Sequence, residues 1–492
     1  MKKIVYVLGL FFLSACSNDF LEIYPETALS EGTFYKSETE YILLANGCYV
    51  PMQTYEKVEH WVMAELISDN GSFQYSTVTG EASKGVIDQF ILASNNVAYA
   101  NFWNFSYNGI TRCNKLLAEI DRTGVTWSKE SFKKRCAGEA QFLRALYYFN
   151  LVRQFGGVPL VLTPIESREA VGIKRSTEEQ VYENIISDLK AAVENFNGAT
   201  DVKENGRANE GAALALLGKV YLTQRKYAEA AAALKTVIES GKYSLLPNYA
   251  DVFNPSSKDF KETIFAVQYS ENSAALSNRF LFWFAPWTSA GAITGRPGIS
   301  LVGGGWNQPT DDLVNAFEAG DKRKDVSIKF WNGADWDGVV RPIPYCAKYK
   351  APLSSPVDRS SDNMPVLRYS DVLLLYAEAL NQQGNTAEAI PYVQQVRNRA
   401  GLTQSLAGSS KTALETLIAK ERQVEFCFEN QRWYDLKRTG KAVEVMTAHG
   451  QREKAKKSFL YNTAYEVTPT KLLAPIPEEQ VLVNKINQNP GY

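Results

Sequence analysis

Apolar residues recur at helical spacing along most of the chain, most clearly between Arg135 and Leu162. This stretch carries two neighbouring apolar stripes, made by Phe142, Leu146 and Phe149 and by Leu143, Tyr147 and Leu151. Because apolar side chains cover most of the circumference, we expect a helix that is buried on nearly all sides. Gly156 and Gly157 predict a left-handed C-terminal cap, and Pro159 prevents the helix from resuming.

A second helix is predicted to follow at Ser176. Ser176 and Glu179 have the spacing of a capping box, in which each side chain hydrogen-bonds a free backbone donor at the start of a helix. The apolar positions of this helix recur every four residues, at Val181, Ile185, Leu189 and Val193. The pattern therefore predicts an amphipathic helix with one buried face.

Two parts of the chain, at about 128–243 and 366–440, match a helical repeat. The sequence LGKVY at 217–221 is followed by Ala230 and Leu234, which is close to the tetratricopeptide pattern. The same register returns at Ala377, Leu380, Ala389 and Val393. The small Gly218 falls where two antiparallel helices would cross. We therefore expect a mainly α fold, in which tetratricopeptide-like repeats form a right-handed superhelical scaffold.

Residues from about 248 to 365 break the helical pattern and are rich in Gly, Pro, Ser and Asn. Five of the nine tryptophans of the chain fall within this segment: Trp283, Trp287, Trp306, Trp331 and Trp336. A surplus of aromatic rings in long loops is typical of a recognition surface, although such rings also pin down loops that lack secondary structure. The segment is the predicted loop-rich ligand-binding region.

The first residues have the pattern of a lipoprotein signal peptide, predicted at 1–15. Lys2 and Lys3 precede an apolar run at 4–13, which is too short to span a bilayer. Small residues then lead directly to Cys16, which resembles a bacterial lipobox. This predicts cleavage before Cys16 and acylation of its thiol and amino group by fatty acids such as palmitate. The alternative is an ordinary secretory signal in which Cys16 is incidental.

Charge, histidine and cysteine content exclude several classes of function. Lys and Arg number 53 and Asp and Glu number 54, so no basic surface for nucleic acid is expected. The two histidines, His60 and His449, lie in no motif, so no zinc site, cofactor site or Ser-His-Asp triad is predicted. Five cysteines follow Cys16, and buried free thiols are favoured because Cys136 and Cys427 lie in helical patterns. One disulfide remains an alternative.

A last long helix is predicted from Thr412 to Arg438. Glu425 and Glu429 would lie one turn apart on it, like the two carboxyl groups of a glycosidase. Three cations would lie within reach of these carboxylates, namely Arg422, Arg432 and Arg438. Because paired carboxylates have lowered pKa values and are poor general acids, we interpret the group as a structural ion-pair network.

Several longer motifs, taken in order, resemble the SusD/RagB-like family of outer-membrane nutrient-binding lipoproteins. They are GEAQFLRALYYFNLVRQFGGVPL, GGGWNQPT, KERQVEFCFENQRWYDLKR, LAPIP and the final NQNPGY. The resemblance implies a single SusD-like domain over 16–492, lipid-anchored in the outer membrane and facing the cell surface. It also implies a protein that is not an enzyme. Such proteins capture oligosaccharides, or in some cases peptides, and deliver them to a SusC-like TonB-dependent transporter, over which they form a lid.

The predicted ligand-binding residues are aromatic, because sugar rings present apolar C–H faces. They are Phe73, Tyr75, Trp283, Trp287, Trp331 and Trp336, with Asn278, Arg279 and Asn332 as partners for sugar hydroxyl groups. Trp306 is expected to be structural, because its segment resembles a family motif. The alternatives are a carbohydrate-active hydrolase that uses Asp335 and Asp337, and a protein-interaction scaffold built on the repeats.

Overall fold

The computed structural model describes residues 35–76, 82–166, 168–197, 206–255, 261–296, 304–351 and 353–492. The predicted signal peptide and Cys16 lie outside these ranges. Within them the protein is mainly α-helical, which confirms the fold class that the hydrophobic spacing predicts. None of the described helices combines the length and the apolar character that crossing a bilayer requires.

The described α-helices occur in the following order. They are α1 (Glu38–Tyr55), α2 (Ala82–Asp88), α3 (Val97–Glu119), α4 (Glu130–Phe155), α5 (Glu178–Asn197), α6 (Glu210–Thr223), α7 (Tyr227–Glu239), α8 (Phe280–Phe284), α9 (Asp311–Ala316), α10 (Arg323–Ser327), α11 (Tyr369–Gln382), α12 (Thr386–Arg399), α13 (Lys411–Glu425), α14 (Arg432–Arg438), α15 (Ala442–Lys456) and α16 (Glu478–Leu482). Short π-helical segments at Glu56–His60 and Val62–Leu66 extend α1, and 3₁₀ turns occur at Tyr249–Phe253, Trp287–Ser289 and Pro469–Leu472.

The described strands form three antiparallel pairs. Their bounds are β1 (Gly71–Ser72), β2 (Thr263–Val267), β3 (Gln308–Pro309), β4 (Ile328–Ala334), β5 (Val340–Cys346) and β6 (Met364–Arg368). β1 pairs with β3, β2 pairs with β6, and β4 pairs with β5. The region predicted to be rich in loops therefore also contains a hairpin and other short elements. The sequence pattern does not predict these elements. The hairpin closes through Asp335, whose backbone N–H bonds the carbonyl of Val339 at 2.9 Å.

The predicted central helix, α4, is buried on most of its surface and packs against α1, α3 and α5. Helix α3 approaches it closely, because a Cβ atom at Gly109 would lie 2.2 Å from the Tyr147 ring. Helix α4 ends at Gly156 as predicted, but the cap is not left-handed helical. Gly156 has φ 75° and ψ −143°, a conformation suited to glycine, and its N–H bonds the Val152 carbonyl at 2.9 Å.

The capping box before α5 lies one residue later than predicted. The backbone N–H of Gln180 bonds Thr177 Oγ1 at 3.2 Å, and the Gln180 side chain accepts from the Thr177 N–H at 3.0 Å. Ser176 is not the cap, because its N–H bonds the Val158 carbonyl at 3.0 Å and ties it to the segment after α4. Both registers satisfy the sequence pattern, and this tertiary contact selects the second.

Consecutive helices in the predicted repeat regions pack against each other, as α4 with α5, α6 with α7, and α11 with α12. Gly218 confirms the predicted close crossing, since a Cβ atom there would lie 2.5 Å from Leu234. Helix α7 also contacts α11, which joins the two repeat regions across the long intervening segment. The tetratricopeptide superhelix itself stays a prediction.

The predicted helix from Thr412 to Arg438 is wrong, because the chain breaks between α13 and α14. Phe428 has φ 65° and Asn430 has φ 60°, which no α-helix contains. The break is held by the π-helical segments: Phe428 N–H bonds Glu65 Oε1 at 2.7 Å, and the Asn430 amide bonds Glu56 Oε2 at 3.2 Å. These contacts come from residues more than 360 positions away along the chain, so local periodicity does not show them.

Cys48, Cys113, Cys136, Cys346 and Cys427 are all buried free thiols, which confirms the favoured interpretation of the cysteine content. Burial raises the pKa of the Cys136 thiol to about 12. The Cys136 thiol therefore stays protonated near neutral pH and acts as a small apolar side chain.

Candidate functional site

Three aromatic rings from distant parts of the chain meet at the surface beside the β4–β5 hairpin. Tyr75 stacks on Phe459 with ring centroids 4.2 Å apart and an interplanar angle of 19°. Trp336 lies edge-on to both, 5.0 Å from Tyr75 and 5.7 Å from Phe459. Trp336 is 36% exposed. We call these three residues the aromatic platform.

Gln74 holds the platform segments together. Its side-chain oxygen accepts the Trp287 N–H at 2.9 Å, and its amide donates to Thr288 Oγ1 at 2.9 Å and Asp335 Oδ1 at 2.8 Å. The indole N–H of Trp287 also donates to the Tyr75 carbonyl at 3.2 Å. The predicted residues Tyr75, Trp287 and Trp336 are thus brought together, with Trp287 bound to the backbone that carries the platform.

Asp335 and Asp337, the carboxylates that flank Trp336, both pair with Arg341. Arg341 Nη1 lies 3.1 Å from Asp335 Oδ2, and Arg341 Nη2 lies 2.5 Å from Asp337 Oδ2. The Arg341 hydrogen bond lowers the pKa of Asp337 from its ordinary value. A glycosidase needs one carboxyl group whose pKa is raised, so this pairing argues against a hydrolase at Trp336.

Two further predicted rings, Phe73 and Trp283, lie deeper and pack. Phe73 stacks on the buried Trp306 at 5.7 Å and lies 6.1 Å from Phe459. Trp283 is partly buried and lies 6.3 Å from Trp61. These contacts place Phe73 beneath the platform and Trp283 against the core cluster, and they give Trp306 the buried position expected of a structural ring.

Trp331 and the predicted hydroxyl partners do not join the platform contacts. The Trp331 ring covers Gly333 on β4, where a Cβ atom would lie 2.1 Å from it. Asn278 is fully buried and donates to the Asp362 carbonyl, so its predicted role as a sugar partner is wrong. Arg279 lies over Trp283, and Asn332 is exposed on the hairpin.

A polar network anchors the segment that carries Phe459. Lys457 Nζ donates to Ser72 Oγ at 2.7 Å and lies 2.6 Å from Glu453 Oε2. Ser72 in turn donates to Asp88 Oδ2 at 3.3 Å. Burial raises the pKa of Asp88 to about 7, although the nearby Lys457 charge opposes this rise. Lys457 therefore connects the two segments whose rings stack in the platform.

Sequence reasoning did not find Phe459, which follows α15 and lies outside the tryptophan-rich segment. The available signal was the run SFLYN at 458–462, in which aromatic and apolar residues interrupt a basic stretch. Aromatic residues in such a polar setting are typical of a recognition site, but the partner loop at 71–75 is visible only in the fold.

Glu425 and Glu429 lie in a buried ion-pair network, as predicted, but their partners differ from those expected. Glu425 pairs with Arg323, Arg368 and Arg399 at 2.9, 2.9 and 2.5 Å. Burial raises the pKa of Glu425, and the three guanidinium groups outweigh this and hold it well below its usual value. Glu429 pairs with Arg368 and Lys348.

The predicted partners bind other carboxylates. Their expected spacing assumed one continuous helix, and α13 ends at Glu425, so Glu429 does not lie on it. Arg422 pairs with Asp371 and Asp435, Arg432 with Asp69, and Arg438 with Glu378 and Asp435. Because its pKa is held well below the usual value, Glu425 cannot act as a general acid near neutral pH.

Two family models match the chain. Residues 342–492 match the model described as SusD family, and residues 19–222 match the model described as starch-binding associating with outer membrane. SusD-like protein P2 of Formosa agariphila is 27% identical, over 100% of this chain and 99% of its own length. SusD-like protein P25 of the same organism is 26% identical, over 98% of this chain and 97% of its own length.

Solved structures resemble the chain over nearly its whole length. A SusD homolog from Bacteroides thetaiotaomicron has a TM-score of 0.79 and 25% identity, and the match covers 94% of this chain and 98% of that one. A laminarin binding SusD-like protein has a TM-score of 0.75 and 28% identity, with 93% and 100% covered. The chain belongs to the SusD/RagB-like family.

Proposed function

We propose that the protein binds an oligosaccharide at the aromatic platform. The observation that carries this proposal is the meeting of Tyr75, Phe459 and Trp336 at one place, where Trp336 is exposed and the other two rings are half-buried. A sugar ring has an apolar C–H face and hydroxyl groups at its margin, so it needs such rings with polar groups beside them. Asp337 and Arg341 supply those polar groups at the edge of the platform.

The name of one similar protein and the description of one family model support a glucan as the ligand. One relative is a laminarin binding protein, and one family model is described as starch-binding. Both laminarin and starch are polymers of glucose, whose equatorial hydroxyl groups leave apolar ring faces open for stacking. We therefore propose a glucose polymer as the ligand. Laminarin and starch differ in the glycosidic linkage between their glucose units, so titration with a panel of oligosaccharides of both shows which linkage the protein prefers.

Binding is proposed to occur without cleavage. Hydrolysis needs two carboxyl groups in different protonation states on opposite sides of the bond. Asp335 and Asp337 share Arg341, and Glu425 and Glu429 are buried in their ion-pair network. Neither pair meets that requirement.

The proposed cellular role is delivery of the ligand to a SusC-like TonB-dependent transporter from the outer membrane. The supports are the resemblance of the residues before Cys16 to a lipobox, the family membership and the description of one family model as associating with the outer membrane. The chain after Cys16 would act as one SusD-like domain on a lipid anchor. Cys16→Ala should release the protein from the membrane fraction, and mild detergent extraction of the wild type should recover a large outer-membrane partner.

The binding proposal is tested by titrating the oligosaccharide panel into the wild type and into Trp336→Ala. One ring contact contributes about 0.5–1.5 kcal/mol, so Trp336→Ala should weaken binding by about two- to tenfold. Phe330→Ala is the matched control, because Phe330 is 48% exposed on the same hairpin but is not in the platform. Equal weakening in both variants, or new reducing ends during incubation, would contradict the proposal.

A further inference from the structure

A cleft that shares no residue with the aromatic platform lies between the end of α4, the start of α5, the end of α6, and α14. It has a volume of about 530 Å³ and is lined by Arg153, Tyr182, Gln224, Tyr434 and Lys437, among others. This volume is large enough for a small molecule. The chemistry of the cleft is set by Arg153 and Lys437.

The Arg153 guanidinium group lies close to two aromatic rings. Its guanidinium carbon is 4.0 Å from the Phe149 ring centroid and 3.7 Å from that of Tyr434. Its Nε donates to the Phe149 carbonyl at 3.2 Å, and its Nη2 donates to Asn150. In the part of the chain that the structure describes, Nη1 has no protein acceptor and the group has no carboxylate within 4.0 Å. Burial lowers the pKa of Arg153.

Lys437, on α14, also lines the cleft and contacts Arg153. Its Nζ donates to the backbone carbonyl of Arg153 and lies 5.8 Å from the Trp433 ring centroid. Among the described residues it too lacks a carboxylate within 4.0 Å. Burial and the Arg153 charge lower the pKa of Lys437 to about 7, with only Glu178 opposing them.

The two cations stand out because neighbouring buried cations are neutralised. Arg438, the next residue on α14, bonds both Glu378 and Asp435, and Arg422 bonds Asp371 and Asp435. Burying a charge without a counter-charge in contact is costly, so two adjacent cations that contact no carboxylate are typical of a site that takes an anion.

We propose that this cleft binds a small monocarboxylate, whose two oxygens accept hydrogen bonds from Lys437 Nζ and Arg153 Nη1. These two nitrogens provide one hydrogen-bond donor for each oxygen of a single carboxylate. A single negative charge is favoured over two, because Glu178, Glu179 and Glu183 of α5 also line the cleft and would repel a dianion more strongly than a monoanion. Lys226 and Arg438 also line the cleft, and Arg438 is already paired. The proposal does not rest on glycan binding at the platform.

The test follows the reactivity of Lys437 in the full chain, because only a neutral amine reacts with an acylating reagent. The protein is pulse-labelled at pH 7 in the presence of sodium glucuronate, glucose or inorganic phosphate at matched ionic strength, and labelling is read by peptide mass spectrometry. A bound carboxylate should raise the pKa of Lys437, and a rise of one unit lowers the neutral fraction about fivefold. Lys441, whose side chain is 60% exposed, is the internal reference and should not change.

A second measurement uses variants and does not depend on labelling. Glucuronate should raise the Tm of the wild type and of Lys441→Gln, because a ligand that binds only the folded state stabilises it. It should not raise the Tm of Lys437→Gln. The proposal is overturned if glucose protects Lys437 as well as glucuronate does, if phosphate protects it better, or if Lys437→Gln keeps the full Tm increase.

Discussion

Tyr75 and Phe459 stack at 4.2 Å although most of the chain separates them in sequence. Tyr75 follows the short strand β1, and Phe459 follows the last long helix, α15. Their contact requires the C-terminal part of the chain to close over the segment that follows β1. The recognition surface is therefore a product of the complete fold rather than of one loop.

Replacing Phe459 should test this dependence directly. Phe459→Ala removes one face of the stack and should weaken oligosaccharide binding by about two- to tenfold, the range expected for one aromatic contact. Phe459→Tyr keeps the ring and should bind as the wild type does. Isothermal titration compares the oligosaccharide affinities of the wild type and the two variants. Their Tm values show whether each variant stays folded. Wild-type affinity in Phe459→Ala would remove this residue from the proposed site.

Lys457 should act as a positioning residue for the same surface. Lys457→Met removes the hydrogen bond to Ser72 and the ion pair with Glu453. Without them the segment that carries Phe459 should become more mobile relative to Tyr75. We expect oligosaccharide affinity to fall several-fold, roughly as for loss of one ring contact.

The adjacent Lys456 supplies the control for that experiment. Lys456 is partly exposed and pairs with Asp311, which lies outside the platform. Lys456→Met should leave affinity unchanged. If both variants lose affinity equally, a general effect of charge explains the loss, and Lys457 has no special role in positioning Phe459.

Local pattern predicts the helices of this protein well, and distant contacts account for what it misses. The spacing around Phe142 correctly predicts a buried α4, because a helix with apolar residues on all sides is stable only when other elements cover it. The break after Glu425 is invisible in the same kind of pattern, because hydrogen bonds from Glu65 and Glu56 hold it.

The candidate site shows the same division between local and distant information. Clustering of tryptophans predicts a ligand-binding region that includes Trp336, but it cannot separate an exposed ring from a packed one. Trp283 and Trp336 look alike in sequence, yet Trp283 packs towards Trp61 while Trp336 lies at the surface. Phe459 carries no such clustering and becomes apparent only through its stack with Tyr75.

The stability of the protein should depend on the protonation of Asp88. Burial raises the pKa of Asp88 to about 7 in the folded state, so the folded state binds its proton more tightly than the unfolded chain does. For an acid with a raised folded pKa, stability falls as pH rises from the unfolded value of about 4 to the folded value.

Asp88→Asn removes this titration and isolates its contribution. The variant should lose less stability than the wild type between pH 5 and pH 8, as measured by Tm in parallel buffers. The difference is expected to shrink towards pH 4, where Asp88 is protonated in both states. Parallel pH profiles for the two proteins would contradict the assignment of this titration to Asp88.

Two glycines in neighbouring helices should respond to alanine in opposite directions. In α3, a Cβ atom at Gly109 would lie 2.2 Å from the Tyr147 ring, and the Tyr147 hydroxyl is fixed by bonds to the Cys48 carbonyl and the Met52 N–H. The ring cannot move away easily, so Gly109→Ala should destabilise the fold by about 1–3 kcal/mol, as overpacking does.

In α1, the nearest atom to a Cβ at Gly47 is the flexible end of Arg112 at 3.6 Å. Gly47→Ala should therefore stabilise the protein by about 0.5–1 kcal/mol. Urea unfolding of both variants measures these changes, and a stable Gly109→Ala would mean that α3 and α4 pack less closely than described.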